Sequence, residues 1–522
     1  MAGNVGGGDT SAAASVAIVG AGPVGLALAL ALARQGVRSV VVERNASTSE
    51  HSKAAAVHLR TREVFRQWGI ENRFLEAGIL RTRLKLHDAG SGDDSLISLD
   101  FGELESEADR PGMLFIEQSR TEALLLEAVR KSGMCDVRFG AEVVGIDPGD
   151  TAVVLKVRQD GEPRRLETAF VVGCDGAGSF VRDALGLPFE GSTYSLRPML
   201  ADVHVRDERD ALPWPRARNS PDGLAFTFRL RPGLWRLIRL EARDAGTGAE
   251  VRPEALDRVV ADLLGPGEVE VVWASRFRIH RRASPRFRVG RVLLAGDAAH
   301  VHSPAGGQGM NAGIQDAHNL AWKLAYALRG GDVDRLLDSY DAERREVVVQ
   351  EVSRYTDFVT RSALQAPTFL RGAVFALWRA AIRIPRIRRT VLRRATMIDL
   401  DYSASPLIDA GLRAAGVRLP NPALHSPAGT IVRLYDLLPE GPVIIEVGGG
   451  GEDGPAGLPL ENVIRIGPGD YLDKTGAIAG LIGGPRGWVL VRPDAHVAWA
   501  TTDPEGIHDA VTRALGSESV GS

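Results

Sequence analysis

Apolar residues change their period several times along the chain, and each change predicts an element. Val16–Val19 is a short continuous apolar run, the pattern of a strand buried on both faces. A glycine-containing turn follows, then an apolar helix ending near Gly36 and a second apolar strand over Ser39–Val42. Val57, Val64, Phe65 and Trp68 recur at roughly helical spacing. Ala123, Leu124, Leu125 and Leu126 mark a buried helix face within Ile116–Val129. Val137–Leu155 and Phe170–Gly173 read as strands, and Gly178 and Ser179 lead into a helix with Arg182 in its first turns. From Met199 to about His280 apolar and polar positions alternate, which predicts antiparallel strands with one face wet. Val292–Gly296 returns to the buried-strand pattern, and Ile314, Ala317, Leu320, Ala321, Leu324 and Leu328 define a long buried helix starting near Met310. Beyond Pro420 short strands (VIIEV, NVIRI, GWVLVR, HVAWA) alternate with Gly/Pro/Asp turns, and a terminal helix follows Pro504.

Composition narrows this picture. A chain of 522 residues is too long for one compact core, so two or three domains are expected. With 63 basic against 66 acidic side chains the net charge is −3, which offers no basic excess for a nucleic-acid partner. The two cysteines, Cys135 and Cys174, are far apart and read as buried, reduced thiols, in keeping with a cytoplasmic protein. Residues 1–15 lack a basic n-region and read as a disordered lead-in rather than a signal peptide. No apolar run approaches membrane-spanning length. Leu370–Arg394 carries eight arginines among apolar residues, and Pro385 interrupts it; a solvated helical arm is the preferred reading over a lipid-binding helix.

Candidate chemistry concentrates at the ends of the predicted buried strands. Gly20, Gly22 and Gly25 stand in G-x-G-x-x-G spacing between strand and helix. The first permits the tight turn, the second lets backbone approach a pyrophosphate, and the third lets helix pack on strand. Glu43, with Arg44 after it, ends the second strand where a carboxylate can accept from ribose hydroxyls. Strand, turn, helix, strand and acid in order make this a dinucleotide site. Lys53 and Arg60 flank the next helix, where they meet either phosphate or solvent. Gln118 and Arg120 open another helix. Asp175-Gly176 is a turn, Asp297 ends a strand, and Gly306, Gly307 and Gly309 bring backbone close to something flat or anionic. His300 and His302 lack a completing carboxylate or cysteine in sequence, so a loop role is preferred over a metal. Phe226, Phe228 and Trp235 fit core packing better than a cavity wall.

Three separated motifs, GAGPVG with Glu43, CDGAGSFVR, and AGDAAHVHSPAGGQGMNAGIQDAHNLAWKL, together resemble the class A FAD-dependent aromatic hydroxylases, the para-hydroxybenzoate hydroxylase-like monooxygenases. The resemblance spans about Val16 to Tyr340. The C-terminal VLVRPDAHVAWA hairpin resembles the thioredoxin-like appendage of the phenol and polyketide hydroxylase branch. It implies an α/β fold: a Rossmann-like FAD-binding domain over 16–198 and 281–400, the latter including the helical arm, an inserted substrate sheet over 199–280, and a cysteine-free thioredoxin-like domain over 415–517. It further implies that Gly20, Gly22 and Gly25 hold the FAD pyrophosphate and Glu43 the adenosine ribose. Gln118, with Arg120 beside it, would contact flavin, Asp175 and Gly176 would serve FAD and NADPH, and Asp297 would bind the ribityl chain. Pro304 and Gly307 to Asn311, Gly309 and Met310 included, would run beside the isoalloxazine. Lys53 stands where the family has arginine and lacks that residue's bidentate fork. NADPH or NADH would dock transiently, and a C4a-hydroperoxide would pass hydroxyl to a phenolic or polycyclic ring. Arg239, Arg276, His204 and His280 are candidates for the group that activates it. Competing readings are a halogenase, reductase or oxidase of the same fold, an ordinary dehydrogenase, and a non-catalytic FAD-binding subunit. A homodimer through the C-terminal domain is compatible with all of them.

Overall fold

The structure, a computed structural model, describes residues 14–49, 54–89, 95–194, 197–220, 223–241, 251–304, 306–361, 368–409, 412, 414–448, 462–503 and 505–516. Most of the expected lead-in, residues 1–13, and the candidate Lys53 lie outside the described residues.

The buried runs assemble into one six-stranded sheet, in the order Arg288–Val289, Val292–Leu294, Phe170–Gly173, Val16–Val19, Ser39–Glu43, Cys135–Phe139. All of its pairs are parallel except the first. Parallel sheets are covered on both faces, which is why these strands read as continuous Val/Ile/Leu runs. The helices Pro23–Arg34, Gln118–Ser132 and Gly309–Leu328 supply much of the cover. Leu124 and Leu125 are buried as the pattern requires. Ala123 is exposed, because on a helix consecutive residues turn about 100° apart and cannot all share a face. The stretch expected as a strand from Val137 to Leu155 is divided: Cys135–Phe139 stays in the parallel sheet. Ala141–Pro148, Val153–Gln159 and Glu162–Thr168 then form a separate antiparallel meander.

The alternating region forms a seven-stranded sheet: Glu270–Arg276, Arg197–His204, Leu234–Glu241, Gly223–Arg231, Arg216–Ser220, Arg83–Asp88, Ser95–Asp100. Its last two strands come from the first third of the chain, so this layer extends beyond the expected 199–280 and joins in parallel at Arg216–Ser220. Helix Pro253–Leu264, which the sequence reading did not anticipate, buries Leu256, Val259, Val260 and Leu263 against Met199, Ala201, Val203, Trp235 and Leu237. Trp235 is thereby a core residue, its indole donating to Asp210 at 2.8 Å. On the other face Leu224, Leu240, Phe226 and Ile238 meet Ile279 and Phe375 of the arm.

The arginine-rich segment is two helices, Thr368–Ala381 and Pro385–Thr396. Pro385 opens the second at a position where its missing N–H costs nothing. Arg388 pairs with Glu103, and Arg389 and Arg393 with Glu107, so part of the basic face is spent inside the protein. Among the described residues no helix is long and apolar enough to cross a membrane.

The C-terminal unit carries a four-stranded mixed sheet, Val463–Ile466, Val443–Val447, Gly487–Val491, Val497–Thr501. It is locked to the rest by buried charge. Arg492 pairs with Glu343 at 2.7 Å and with Asp494, Lys323 pairs with Glu343 at 2.7 Å, and Asn319 donates to Asp494 at 3.0 Å, with Glu343, Lys323 and Arg492 fully enclosed. The arginine and lysine hold the Glu343 carboxyl down to about 2, against the burial that would raise it. Terminal helix Ile507–Leu515 packs into the same core as the first strands, and the Asp332 N–H donates to the Gly516 carbonyl.

Arg492→Leu strands Glu343 and Asp494 without their guanidinium, and the expected loss is about 3–5 kcal/mol of unfolding free energy, read by urea denaturation of the FAD-free protein. Burial also lowers His318 to about 3, so the folded chain binds fewer protons than the unfolded chain between pH 6.5 and 3. Stability therefore falls as pH drops through that window. His318→Asn is expected to flatten the fall in the urea midpoint measured between pH 7 and pH 4.

Candidate active site

The strand order brings the separated motifs to one edge. Val16–Val19 lies between Ser39–Glu43 and Phe170–Gly173, and Phe170–Gly173 lies beside Val292–Leu294. All run in the same direction. Their carboxyl ends thus place Gly20–Gly25, Glu43, Asp175-Gly176 and Gly296-Asp297 side by side, the position at which open α/β sheets take ligands.

The three glycines of the first turn have separable duties. Gly20 has φ +106°, and a Cβ on it would stand 2.6 Å from the Cys174 carbonyl oxygen. A Cβ on Gly25 would stand 1.9 Å from the Gly20 carbonyl oxygen, so the helix approaches the strand only with glycine there. A Cβ on Gly22 would meet no protein atom within 4 Å. The protein leaves that space free in front of the N-terminus of helix Pro23–Arg34, whose N–H groups favour an anion. Glu43 folds over the turn: Oε2 accepts from the Ala21 N–H and Oε1 from the Asn45 N–H, both at 2.8 Å. Arg44 beside it is exposed.

Asp175 accepts from the Ser179 hydroxyl at 2.6 Å and from the Val181 N–H, fixing the turn that leads into Phe180–Ala184. Burial pushes its carboxyl up. Gly176 has φ +82° and open space in front of it. Arg182 crosses from that helix to donate to the Ala298 carbonyl at 3.1 Å, tying this loop to the next.

The Gly296-Asp297 turn is held from beneath by Asp316. Its Oδ2 accepts from the Gly296 N–H at 2.9 Å and lies 2.7 Å from His300 Nε2, while Oδ1 accepts from Arg344 Nε at 2.7 Å. His300 and Arg344 hold the Asp316 carboxyl below its usual range despite complete burial. Asp297 itself is exposed at the edge. Gly313 lets the long helix pass close to Gly296: a Cβ there would fall 2.5 Å from Val24.

Gln118 accepts from the Ala54 N–H at 3.0 Å and donates to Glu122, and Arg120 points outward, exposed. Pro304 is exposed, and Gly307 and Gly309 with Met310 are half-buried at the start of the long helix. Asn311 differs from expectation. Its amide is fully buried, accepting from the His58 N–H and donating to the Ala56 and Gly307 carbonyls, so only its backbone is left to meet a cofactor. Arg60 is a correction. Its guanidinium is 2% exposed and faces Glu63, the Tyr435 hydroxyl and the Asp494 carbonyl, because helix Leu59–Gln67 turns that face to the C-terminal unit. It meets neither phosphate nor solvent.

Sequence reasoning missed His58, Asp316 and Arg344. One signal was present: Gln315, Asp316, His318, Asn319 and Lys323 are polar residues on a helix whose apolar spacing marks it as buried. Of the activation candidates, Arg239 is tied to Asp262 and His204 lies by the Gly233 carbonyl. His280 contacts Thr193, and Arg276 is buried at the end of its strand. Among the described residues no cluster of His, Cys, Asp or Glu could hold a metal.

The FAD binding domain family matches residues 13–355, and the family described as "aromatic-ring hydroxylase, C-terminal" matches residues 413–517. The chain belongs to the FAD-dependent aromatic-ring hydroxylases. The hydroxylase is 34% identical over 500 residues to the uncharacterized aromatic compound monooxygenase YhjG of Bacillus subtilis, covering 92% of this chain and 93% of the relative. It is 33% identical to a Streptomyces rimosus 12-dehydrotetracycline 5-monooxygenase/anhydrotetracycline 6-monooxygenase, over 96% of this chain and 97% of that one. Among solved structures, an anhydrotetracycline hydroxylase from Streptomyces rimosus superposes with a TM-score of 0.80 at 30% identity, covering 97% of this chain and 99% of that chain. Aklavinone-11 hydroxylase, solved with FAD and aklavinone, matches with a TM-score of 0.80 at 25% identity, covering 97% of this chain and 99% of that one. The hydroxylase is an FAD-dependent monooxygenase of aromatic compounds, and the glycine cradle with free space at Gly22 fits the cofactor.

The glycine geometry separates two failures in the hydroxylase. Gly22→Ala is expected to leave the apoprotein's thermal midpoint unchanged while weakening FAD at least tenfold, about 1.4 kcal/mol. Gly25→Ala, which collides with backbone, lowers both. Thermal denaturation and flavin-fluorescence titration of apoprotein read the two.

Proposed function

We propose that the enzyme uses NAD(P)H and dioxygen to hydroxylate a phenolic ring within a polycyclic aromatic substrate. The observation that carries this reading is the convergence of Gly20–Gly25, Glu43, Asp175-Gly176 and Asp297 at one sheet edge, with an apolar sheet face and arm beyond it. Relatives that act on tetracycline intermediates support the polycyclic class.

In this reading Gly20, Gly22 and Gly25 accommodate the FAD pyrophosphate, and Glu43 accepts from the adenosine ribose. Arg44 and Arg120 stand exposed where transient contacts to phosphate are made. Asp297 takes the ribityl chain, and Gln118 lies toward the flavin. The backbone from Pro304 and Gly307 through Asn311 borders the isoalloxazine, its helix N-terminus stabilising negative charge. Bound FAD, reduced by NAD(P)H, supplies the oxygen-transfer chemistry. The protein's part is to hold the ring, exclude water and orient the reacting carbon. Leu224, Phe226, Ile238, Leu240, Ile279 and Phe375 pack together as a dry cluster between the sheet and the arm.

The test is NADPH and NADH oxidation by purified holoenzyme under air, with a panel of phenols and polycyclic quinones. Substrate-stimulated oxidation with one added oxygen atom in the product is the expected result. Hydrogen peroxide as sole product across the panel would overturn hydroxylation in favour of an oxidase.

A further inference from the structure

His300 and His302 flank Val301 just after the Gly296-Asp297 turn, and each keeps one enclosed ring nitrogen without a hydrogen-bond partner: Nδ1 of His300 and Nε2 of His302. Their other nitrogens are committed. His300 Nε2 faces Asp316 Oδ2, an oxygen that only accepts, so Nε2 carries a proton. His302 Nδ1 faces the Ser303 carbonyl at 3.0 Å, so it carries the proton and Nε2 is left as an acceptor. His300 is walled in, 3% exposed and stacked on Phe287 at 5.6 Å between ring centroids.

His302 is placed differently. Its ring is half-buried, and its Cε1 lies 4.0 Å from where a Gly309 Cβ would be, at the start of the long helix. Three parts of the molecule meet around it. Strand His300–Val301 pairs with His280–Ala283, which follows on from strand Glu270–Arg276 of the seven-stranded sheet. The next residue, Ser303, accepts from Thr360 Oγ1 at 2.6 Å, in the segment leading to the arm. An enclosed acceptor left unpaired is costly, and one at the junction of cofactor domain, substrate sheet and arm calls for a donor from a ligand. Burial, with His300 alongside, lowers His302 to about 4, so at neutral pH the ring is uncharged and Nε2 stays an acceptor.

We propose that His302 Nε2 accepts a hydrogen bond from the hydroxyl of the phenolic ring and thereby orients it, so that His302 selects hydroxyl-bearing rings over their ethers. This rests on the hydroxylase reading above. The proton stays on the phenol oxygen in this role, and no bond is made or broken.

The test uses FAD-loaded enzyme without NADPH, with the panel phenol that most stimulates oxidation and its O-methyl ether. Affinities are read from the perturbation of flavin absorbance. Wild type is expected to prefer the phenol at least tenfold. His302→Phe is expected to bring the two affinities within twofold, and His302→Gln, which retains an acceptor, to keep part of the preference. FAD affinity of the apoproteins should stay within twofold of wild type. A phenol preference unchanged in His302→Phe overturns the proposal and leaves an enclosed water as the partner. A preserved preference with weakened FAD also overturns it and assigns the donor to the ribityl chain. Should the Phe variant not fold, His302→Leu gives the same reading. If no phenol binds wild type, the hydroxylase reading itself fails, and this proposal with it.

Discussion

Asp316 holds the candidate site to the scaffold. One carboxylate, buried in the middle of a helix, receives the Gly296 N–H, lies within hydrogen-bonding distance of His300 and is paired with Arg344. A lone buried carboxylate would be strongly disfavoured, so Asp316 is tolerable only while its partners are in place. Those partners sit on different elements: the turn after the Val292–Leu294 strand, the strand that follows it, and helix Val333–Glu346. Their relative positions are therefore fixed together. The consequence at the surface of the sheet is a fixed Gly296-Asp297 turn, with Gly296 packed against Val24 at the start of the first helix.

From Asp316 the constraint extends outward. Arg344 also donates to the Tyr402 hydroxyl at 3.1 Å, and the Tyr402 ring lies 4.1 Å from the His496 ring between centroids, against the C-terminal hairpin. Arg492 and Asp494 of that hairpin meet Glu343, Lys323 and Asn319 on the same two helices. The C-terminal unit is thus a wedge seated against helices Gly309–Leu328 and Val333–Glu346. Its lack of cysteine is consistent with a packing role in place of thiol chemistry.

The seven-stranded layer follows a different logic. One face of its sheet is closed by helix Pro253–Leu264, and the other packs apolar residues against Ile279 and the arm. Charges within this layer are paired: Arg236 with Asp202, at 2.7 Å, and Arg239 with Asp262, at 2.8 Å.

Local pattern was enough to locate the strands of the parallel sheet, the glycine turn, Glu43, Asp175-Gly176 and the long helix with its glycine-rich approach. Each is a signal within a few residues: a continuous apolar run, a spacing of glycines, or a helical period. The convergence of those motifs was legible only through resemblance, and what the tertiary structure decided is where side chains spend their hydrogen bonds. Arg60 and Lys53 look alike as cations beside a helix, yet Arg60 faces the Asp494 carbonyl some four hundred residues on. Asn311 sits in a motif that the sequence reading set beside a cofactor, and its amide clasps Ala56 and His58. Strands Arg83–Asp88 and Ser95–Asp100 join a sheet whose other members begin only at Arg197. Partners of that kind are set by long-range packing, and periodicity carries no information about them.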